Sequence, residues 1–224
     1  MLLKCCVFEG SHTSENLSQE LKRIIQEYKL EDKIVLAVSD NAANIKKAVT
    51  DLHWKHFGCF AHQLNIIVTK AIHLIDGLLC SVKTIVKYFK RSPQANEKLL
   101  TFQRNSGCTQ AKKLILDVST RWNSTLYMLE RFCELEDAIK STTALVDKDL
   151  PVLNSQEWKV IKEMCKILKP LETVTKSASG EKYITGSLVI VLANGLESVY
   201  ENINTESFTD LSINVIQTLI SGLQ

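Results

Sequence analysis

Proline and glycine are what this chain has least of, with three prolines and eight glycines in 224 residues. Together they make up about 5% of the sequence where roughly 12% is ordinary. A chain so poor in turn formers is expected to consist largely of long helices. Charged residues are 23% and apolar residues 45% of the total, which excludes a disordered or collagen-like chain. The length is that of one large domain or two small ones, with enough chain to bury a core. No run approaches the roughly 18 consecutive apolar residues of a membrane helix, and Met1 to Glu9 is too short for a signal peptide. The seven cysteines (Cys5, Cys6, Cys59, Cys80, Cys108, Cys133, Cys165) are odd in number and lack framework spacing. Most fall within apolar periodic stretches, as expected of reduced, buried thiols in the cytosol or nucleus. The expectation is a soluble intracellular protein with no membrane partner. Missing as well are an internal repeat, a low-complexity segment, the G-x-S-x-G elbow, a phosphate-cradling glycine loop and an H-E-x-x-H zinc helix.

The charge is unevenly spread. The formal total is +2, yet from Lys70 to Arg131 eleven Lys and Arg stand against four acids, a local +7, while the remainder carries −5. Concentrated on one face, those cations would attract phosphate backbones; spread around several helices, they would only solvate them. The sequence leaves both open. Lys83, Lys87 and Lys90 lie opposite an apolar stripe of Val82, Ile85, Val86 and Phe89, and are the candidate DNA contacts of this segment.

Periodicity divides the chain near residue 60. Leu2 to Phe8 reads as a short buried strand. Thr13 or Ser14 caps a helix with apolar residues Leu17, Leu21, Ile24, Ile25 and Tyr28. Ile34 to Val38 is a continuous apolar run, as in a strand covered on both faces. Asp40 ends that run, and helical spacing resumes through Ala42, Ile45, Ala48, Val49 and Leu52. A polar residue at the carboxyl end of a buried strand is where open α/β sheets keep their chemistry; the alternative is an N-cap aspartate. From Phe57 onward nearly everything reads helical, with a stripe from Leu64 to Leu79 and the one ending at Phe89. Further helices are expected near 94–105, 123–146, 154–178, 184–203 and 209–222, Pro151 marking a start and Pro170 a kink or break. The fold class is thus α/β to about residue 60 and all-α over 61–224.

Two constellations carry candidate chemistry. His53, His56, Cys59 and His62 recur every third residue. Zinc sites use two close ligand pairs held apart by a longer loop, whereas this run crosses an expected strand between two helices and would scatter its side chains. A Cys59/His62 pair joining neighbouring elements, with or without metal, is preferred over a four-ligand site. The second is Ser119-Thr120-Arg121-Trp122-Asn123-Ser124. Arg121 beside Trp122 could grip a phosphate and stack on an unpaired base, or Trp122 could anchor the core at the head of the next helix.

Four segments share one further property. Gly10-Ser11-His12-Thr13-Ser14-Glu15-Asn16, Val38-Ser39-Asp40-Asn41-Ala42-Ala43-Asn44, Cys59-Phe60-Ala61-His62-Gln63-Leu64-Asn65 and Asp117-Val118-Ser119-Thr120-Arg121-Trp122-Asn123-Ser124 resemble, in order and spacing, the hAT (hobo and Activator) transposase superfamily and the domesticated BED-type zinc-finger proteins derived from it. The resemblance covers roughly residues 10 to 130. It implies a partial RNase H-like core over 1–60, in strand–helix–strand–helix order, followed by a helical insertion domain. The active members use two aspartates and a glutamate to hold two Mg2+ or Mn2+ ions that activate a hydroxyl and stabilise the leaving oxygen. By this resemblance Asp40 matches the second aspartate and would be a ligand of the divalent metal only with the other carboxylates supplied. Cys59 and His62 match the family's C-x-x-H pair. Trp122, after Arg121, matches the tryptophan at the flipped base. The positions of the first aspartate, the glutamate and the BED finger fall outside these 224 residues. One carboxylate cannot hold two ions about 3.5–4 Å apart. The expectation is therefore a catalytically incomplete, transposase-derived nuclear protein with no cofactor of its own and weak DNA binding. The alternatives are a helical scaffold for a protein partner or homo-oligomer, and a truncated gene model of an active transposase.

Overall fold

The computed structural model describes residues 2–146, 149–180 and 186–224. The chain divides into two compact units, the first ending at Gln63 and the second running from Leu64 to Gln224. In the first, α1 (Ser14–Glu27) starts at the N-cap Thr13, whose hydroxyl accepts the Asn16 N–H at 3.2 Å. It packs on α2 (Ala43–Asp51), with Ile25, Ala48 and Val49 as the buried apolar residues. α2 joins two parallel strands, β1 (Ala37–Ser39) and β2 (His56–Gly58), in the register Ala37↔His56, Val38↔Phe57, Ser39↔Gly58.

The order of elements here corrects the sequence reading. Leu2 to Phe8 forms no strand. Its described side chains are mostly exposed, and the segment is tied to α1 by the Tyr28 hydroxyl donating to the Leu3 carbonyl at 2.7 Å and by a Lys4–Glu27 ion pair. Apolar residues alone do not make a strand; its N–H and C=O groups need a neighbouring strand to pair with. The run from Ile34 likewise yields only Ala37–Ser39, and Val35 is 83% exposed and Val38 60%. The first unit is therefore helix–strand–helix–strand, with a sheet whose apolar residues remain largely uncovered.

The helical continuation follows the expected stripes. Leu64, Val68, Ala71 and Ile72 on α3 (Phe60–Ile72) are buried, as are Leu79, Val82, Ile85, Val86 and Phe89 on α4 (Asp76–Arg91). Each of these side chains larger than alanine contributes about 1.5–3 kcal/mol of transfer free energy. Phe60–Arg91 as a whole is long and apolar enough, by composition, to cross a membrane. A 3-10 turn at His73–Ile75 interrupts it, and its apolar stripe is used within the core. Ser92 ends α4 and caps α5 (Pro93–Asn105), accepting the Ala95 N–H at 3.2 Å, with Pro93 at the first helical position where its missing N–H costs nothing.

Three further expectations need adjustment. The stretch 123–146 is two helices, α6 (Trp122–Glu134) and α7 (Glu136–Thr143), because the backbone leaves helical geometry at the buried Leu135. Pro170 breaks nothing. α8 (Ser155–Ala178) runs through it, with Ile167 and Leu168 before it and Leu171 after it all buried. Of the region 184–203, residues 184 and 185 lie outside the described residues; a 3-10 turn at Gly186–Leu188 leads into α9 (Val189–Glu201), and α10 (Asp210–Leu223) follows. The cysteines are not buried as expected: Cys5, Cys6, Cys80 and Cys108 are exposed and Cys59, Cys133 and Cys165 half-buried.

Polar groups fix how these helices pack. Phe132 of α6 stacks on Trp158 of α8 at 4.9 Å. The Tyr127 hydroxyl donates to Glu172 at 2.7 Å, and the buried Tyr200 hydroxyl of α9 donates to the Ile167 carbonyl at 2.7 Å. Glu163 accepts the Thr209 N–H at 3.1 Å and its hydroxyl at 2.7 Å, seating the cap of α10 on α8. Burial alone would raise the Glu172 carboxyl, but hydrogen bonds from Lys176, Tyr127 and Lys169 outweigh it and hold the group down at about 2. Glu163 is lowered in the same way, burial being outweighed by Ser212 and Thr209.

A carboxylate depressed in the folded state stabilises above its ordinary value and loses that contribution as pH falls through the depressed one. Stability should thus be level above pH 4.5 and decline as pH drops from 4.5 toward 2, the window set by Glu172. Glu172→Gln should lose about 2–4 kcal/mol at pH 7 and show a shallower acid decline. Urea unfolding of both proteins at pH 7, 4.5 and 3 measures this; parallel pH profiles would remove Glu172 as the cause.

Candidate functional site

In the first unit the carboxyl ends of β1 and β2 collect four of the motif residues. The Cys59 N–H donates to the Ser39 carbonyl at 2.7 Å, extending the ladder by one bond. Ser39 Oγ lies 2.8 Å from His56 Nε2, on the same face of the pair. Gly58 admits no side chain freely, because a Cβ there would lie 2.8 Å from Asn41 Oδ1 and 2.9 Å from Gln63 Nε2. Asn44 Nδ2 donates to the His12 carbonyl at 2.7 Å, fastening α2 to the turn before α1.

Asp40 stands at this end, exposed. The N-cap of α2 is Ala42, which offers no side-chain cap, and Asp40 Oδ1 reaches the Ala42 N–H only at 3.4 Å. It is therefore not the N-cap that the sequence also allowed. Among the described residues no group of three or more His, Cys, Asp or Glu side chains comes together. His53, His56, Cys59 and His62 accordingly do not converge on a four-ligand zinc site. The residues around Asp40 likewise do not fit a two-metal centre, which requires several carboxylates around the ions. Cys59 and His62, both half-buried, make no side-chain hydrogen bond among the described residues. Cys59 acts here through its backbone, donating to Ser39 and accepting from the Gln63 N–H at 3.0 Å.

In the second unit the segment before α6 is tightly bound. Ser124 Oγ accepts the Val118 N–H at 2.7 Å and lies 2.6 Å from the Arg121 carbonyl, closing the turn onto the helix start. The Trp122 N–H reaches Asn65 Oδ1 at 3.4 Å. Trp122 is 5% exposed, the core-anchor position, and its Nε1, like Asn123 Oδ1, has no partner among the described residues. The indole in this state presents no face for a base. Asp117, its side chain 6% exposed, pairs with Lys83 at 2.8 Å and receives the Thr125 hydroxyl at 3.3 Å.

The candidate DNA contacts thus separate into two groups. Lys83 and Trp122 are occupied within the fold, whereas Lys87, Lys90 and Arg121 are exposed and form no ion pair among the described residues. Arg91, one turn beyond Lys87, is also exposed and unpaired.

The structure defines a mostly helical protein with two short parallel strands, and comparison with known proteins says which kind. Residues 57–167 match the family model described as the ZBED1 RNase-like helical domain. Zinc finger BED domain-containing protein 4 of Homo sapiens is 30% identical over 173 residues, covering 74% of this chain and 14% of that protein. The Zea mays protein named "Putative AC transposase" is 30% identical over 199 residues, covering 80% of this chain and 24% of its own length. Zinc finger BED domain-containing protein RICESLEEPER 1 of Oryza sativa subsp. japonica is 24% identical over 185 residues, 76% of this chain and 26% of that protein. These likenesses support a hAT-derived protein of the BED type. The chain spans between about a seventh and a quarter of the length of these relatives.

The Lys83–Asp117 pair provides a check on this division. Asp117→Ala leaves a half-buried ammonium without its partner and should cost about 2–4 kcal/mol. Lys83→Ala should destabilise comparably. Chemical denaturation measures both, and a double variant no worse than either single one confirms that the two act as one unit.

Proposed function

We propose that this chain is a transposase-derived unit that binds the DNA backbone weakly through its helical region and does not by itself cleave or join strands. The observation that carries the first part is the set of exposed cations on α4 and at Arg121 that form no ion pair among the described residues, in a segment where Lys83, Arg104, Lys112 and Arg131 are paired. Contacts of this kind recognise phosphate and not base sequence. The isolation of Asp40 supports the second part. In the same reading the parallel β1–β2 pair is a portion of an RNase H-like sheet, its exposed Val35, Val38 and Phe57 belonging to faces that further elements cover in a complete fold. The domain division at about residue 60, a nuclear location and the absence of a resident cofactor belong to this proposal. A divalent ion would enter at Asp40 only with carboxylates from elsewhere.

A scaffold role is favoured by a different observation. On α9, Ile190, Val191 and Val199 are exposed while only Leu196 and Tyr200 are buried.

Fluorescence anisotropy with an arbitrary duplex should show binding that weakens steeply between 50 and 200 mM salt with little sequence preference. Asp40→Asn should bind equally well, and neither protein should nick a hairpin-ended duplex in Mg2+ or Mn2+. Nicking lost in Asp40→Asn would overturn the catalytic part, and salt-independent or absent binding would overturn the DNA part in favour of the scaffold.

A further inference from the structure

The corner between α4 and α5 combines features that none of the motifs includes. A cleft of about 360 Å3 is lined by Thr84, Lys87, Tyr88, Arg91 and Ser92, with no acidic residue among the described residues of its wall. Lys87 and Arg91 are four residues apart on α4 and therefore neighbours on its surface. Both are exposed, and neither has an ion-pair partner among the described residues. That sets them apart from four other cations of the basic middle, Lys83 being matched by Asp117, Arg104 by Glu97, and Lys112 and Arg131 by Glu134.

The hydroxyls of the cleft have defined duties. Thr84 Oγ1 donates to the Cys80 carbonyl at 2.8 Å, while Ser92 Oγ accepts the Ala95 N–H at 3.2 Å and keeps its own hydrogen free to donate outward. The negative end of α4 and the positive end of α5 meet here and largely offset one another. The sign of the cleft is therefore set by its two side-chain charges. A guanidinium offering two parallel N–H bonds, an ammonium one turn away and a hydroxyl donor together match the oxygens of a phosphodiester.

We infer that this cleft is the principal phosphate seat of the helical unit, with Lys87 and Arg91 as its charged contacts, Ser92 as its neutral donor and the DNA backbone as its ligand. The inference rests on the DNA-binding reading above and specifies where that binding occurs. Lys90 and Arg121 are exposed cations that are not among the cleft's lining residues.

The test compares the full chain with three variants, each confirmed folded by its melting curve, on a fluorescent 20-base-pair duplex and on its single strand. If each cation neutralises one phosphate, Lys87→Ala/Arg91→Ala should bind about tenfold more weakly at 50 mM salt and lower the slope of log affinity against log salt by about 2 on duplex, somewhat less on single strand. Arg91→Lys should keep the slope and lose affinity, as a point charge replaces a bidentate fork. Lys113→Ala/Lys166→Ala removes two exposed, unpaired cations outside the cleft and should leave the slope unchanged. Millimolar inorganic phosphate should compete with the wild type at constant ionic strength and not with the double alanine variant. If the wild type binds with a normal salt slope while Lys87→Ala/Arg91→Ala matches it, or while the Lys113/Lys166 control loses as much, the cleft is wrong and the DNA reading survives. If the wild type shows no salt-dependent binding, both are overturned.

Discussion

The helical unit depends on α8 remaining one helix. Its 24 residues present Trp158 to Phe132 of α6, Glu163 to the cap of α10 and the Ile167 carbonyl to Tyr200 of α9. Three helices are thus keyed to one rod by three kinds of contact: an aromatic stack, a buried carboxylate, and a hydroxyl on a backbone carbonyl. Pro170 removes one N–H from the rod and costs about 3 kcal/mol in an isolated helix. The buried residues on both sides of it, together with Glu172 gathering Tyr127, Lys169 and Lys176, keep the helix continuous through that defect. The capping box of Asn154 and Glu157 secures the other end, each side chain bonding the other's backbone N–H.

What the sequence revealed and what it hid follow from this dependence. Helical stripes were legible because burial on one face requires apolar residues at three- and four-residue spacing, and the stripes on α3, α4 and α8 obey that requirement. Thr13 marked a helix start through local chemistry alone. The interruption at Leu135 was illegible, since a buried leucine fits a helix and a bend equally well. Pro170 misled in the opposite direction because its cost is local and its compensation is tertiary. The Leu2–Phe8 strand failed for a similar reason: a strand is defined by its neighbour, and no sequence window contains both partners.

The four motifs that carry the family likeness prove to be joints of the fold. The first two meet where Asn44 bonds the His12 carbonyl, the second and third where Cys59 extends the ladder from Ser39 and where Gly58 admits Asn41 and Gln63. In the second unit Asn65 meets the head of α6 at Trp122. Positions able to serve chemistry in a transposase also serve geometry here, which gives them a structural reason to remain recognisable whatever chemistry they perform. For Cys59 the joint is its backbone, and for Trp122 it is a buried ring, so a match to a motif does not by itself locate a working side chain. Among the described residues the Asp40 side chain makes no such joint and approaches a backbone donor only at the long distance to Ala42.

Charge requires the same separation of placement from composition. The local +7 between Lys70 and Arg131 is a sum over cations in different situations. Lys83 offsets a buried carboxylate and contributes no net charge to the surface; Lys112 and Arg131 share Glu134, and Arg104 faces Glu97. Lys98 spends its ammonium on the Leu145 carbonyl at 3.1 Å. Among the cations that form no ion pair with a described residue, Lys87, Lys90 and Arg91 are grouped on the last two turns of α4. An ion pair at a few ångströms looks nearly neutral beyond the roughly 10 Å over which salt screens a charge, whereas three unpaired cations within two helical turns reinforce one another at that range. The sequence indicated that the middle of the chain is basic; pairing within the fold decides which part of it a polyanion would encounter.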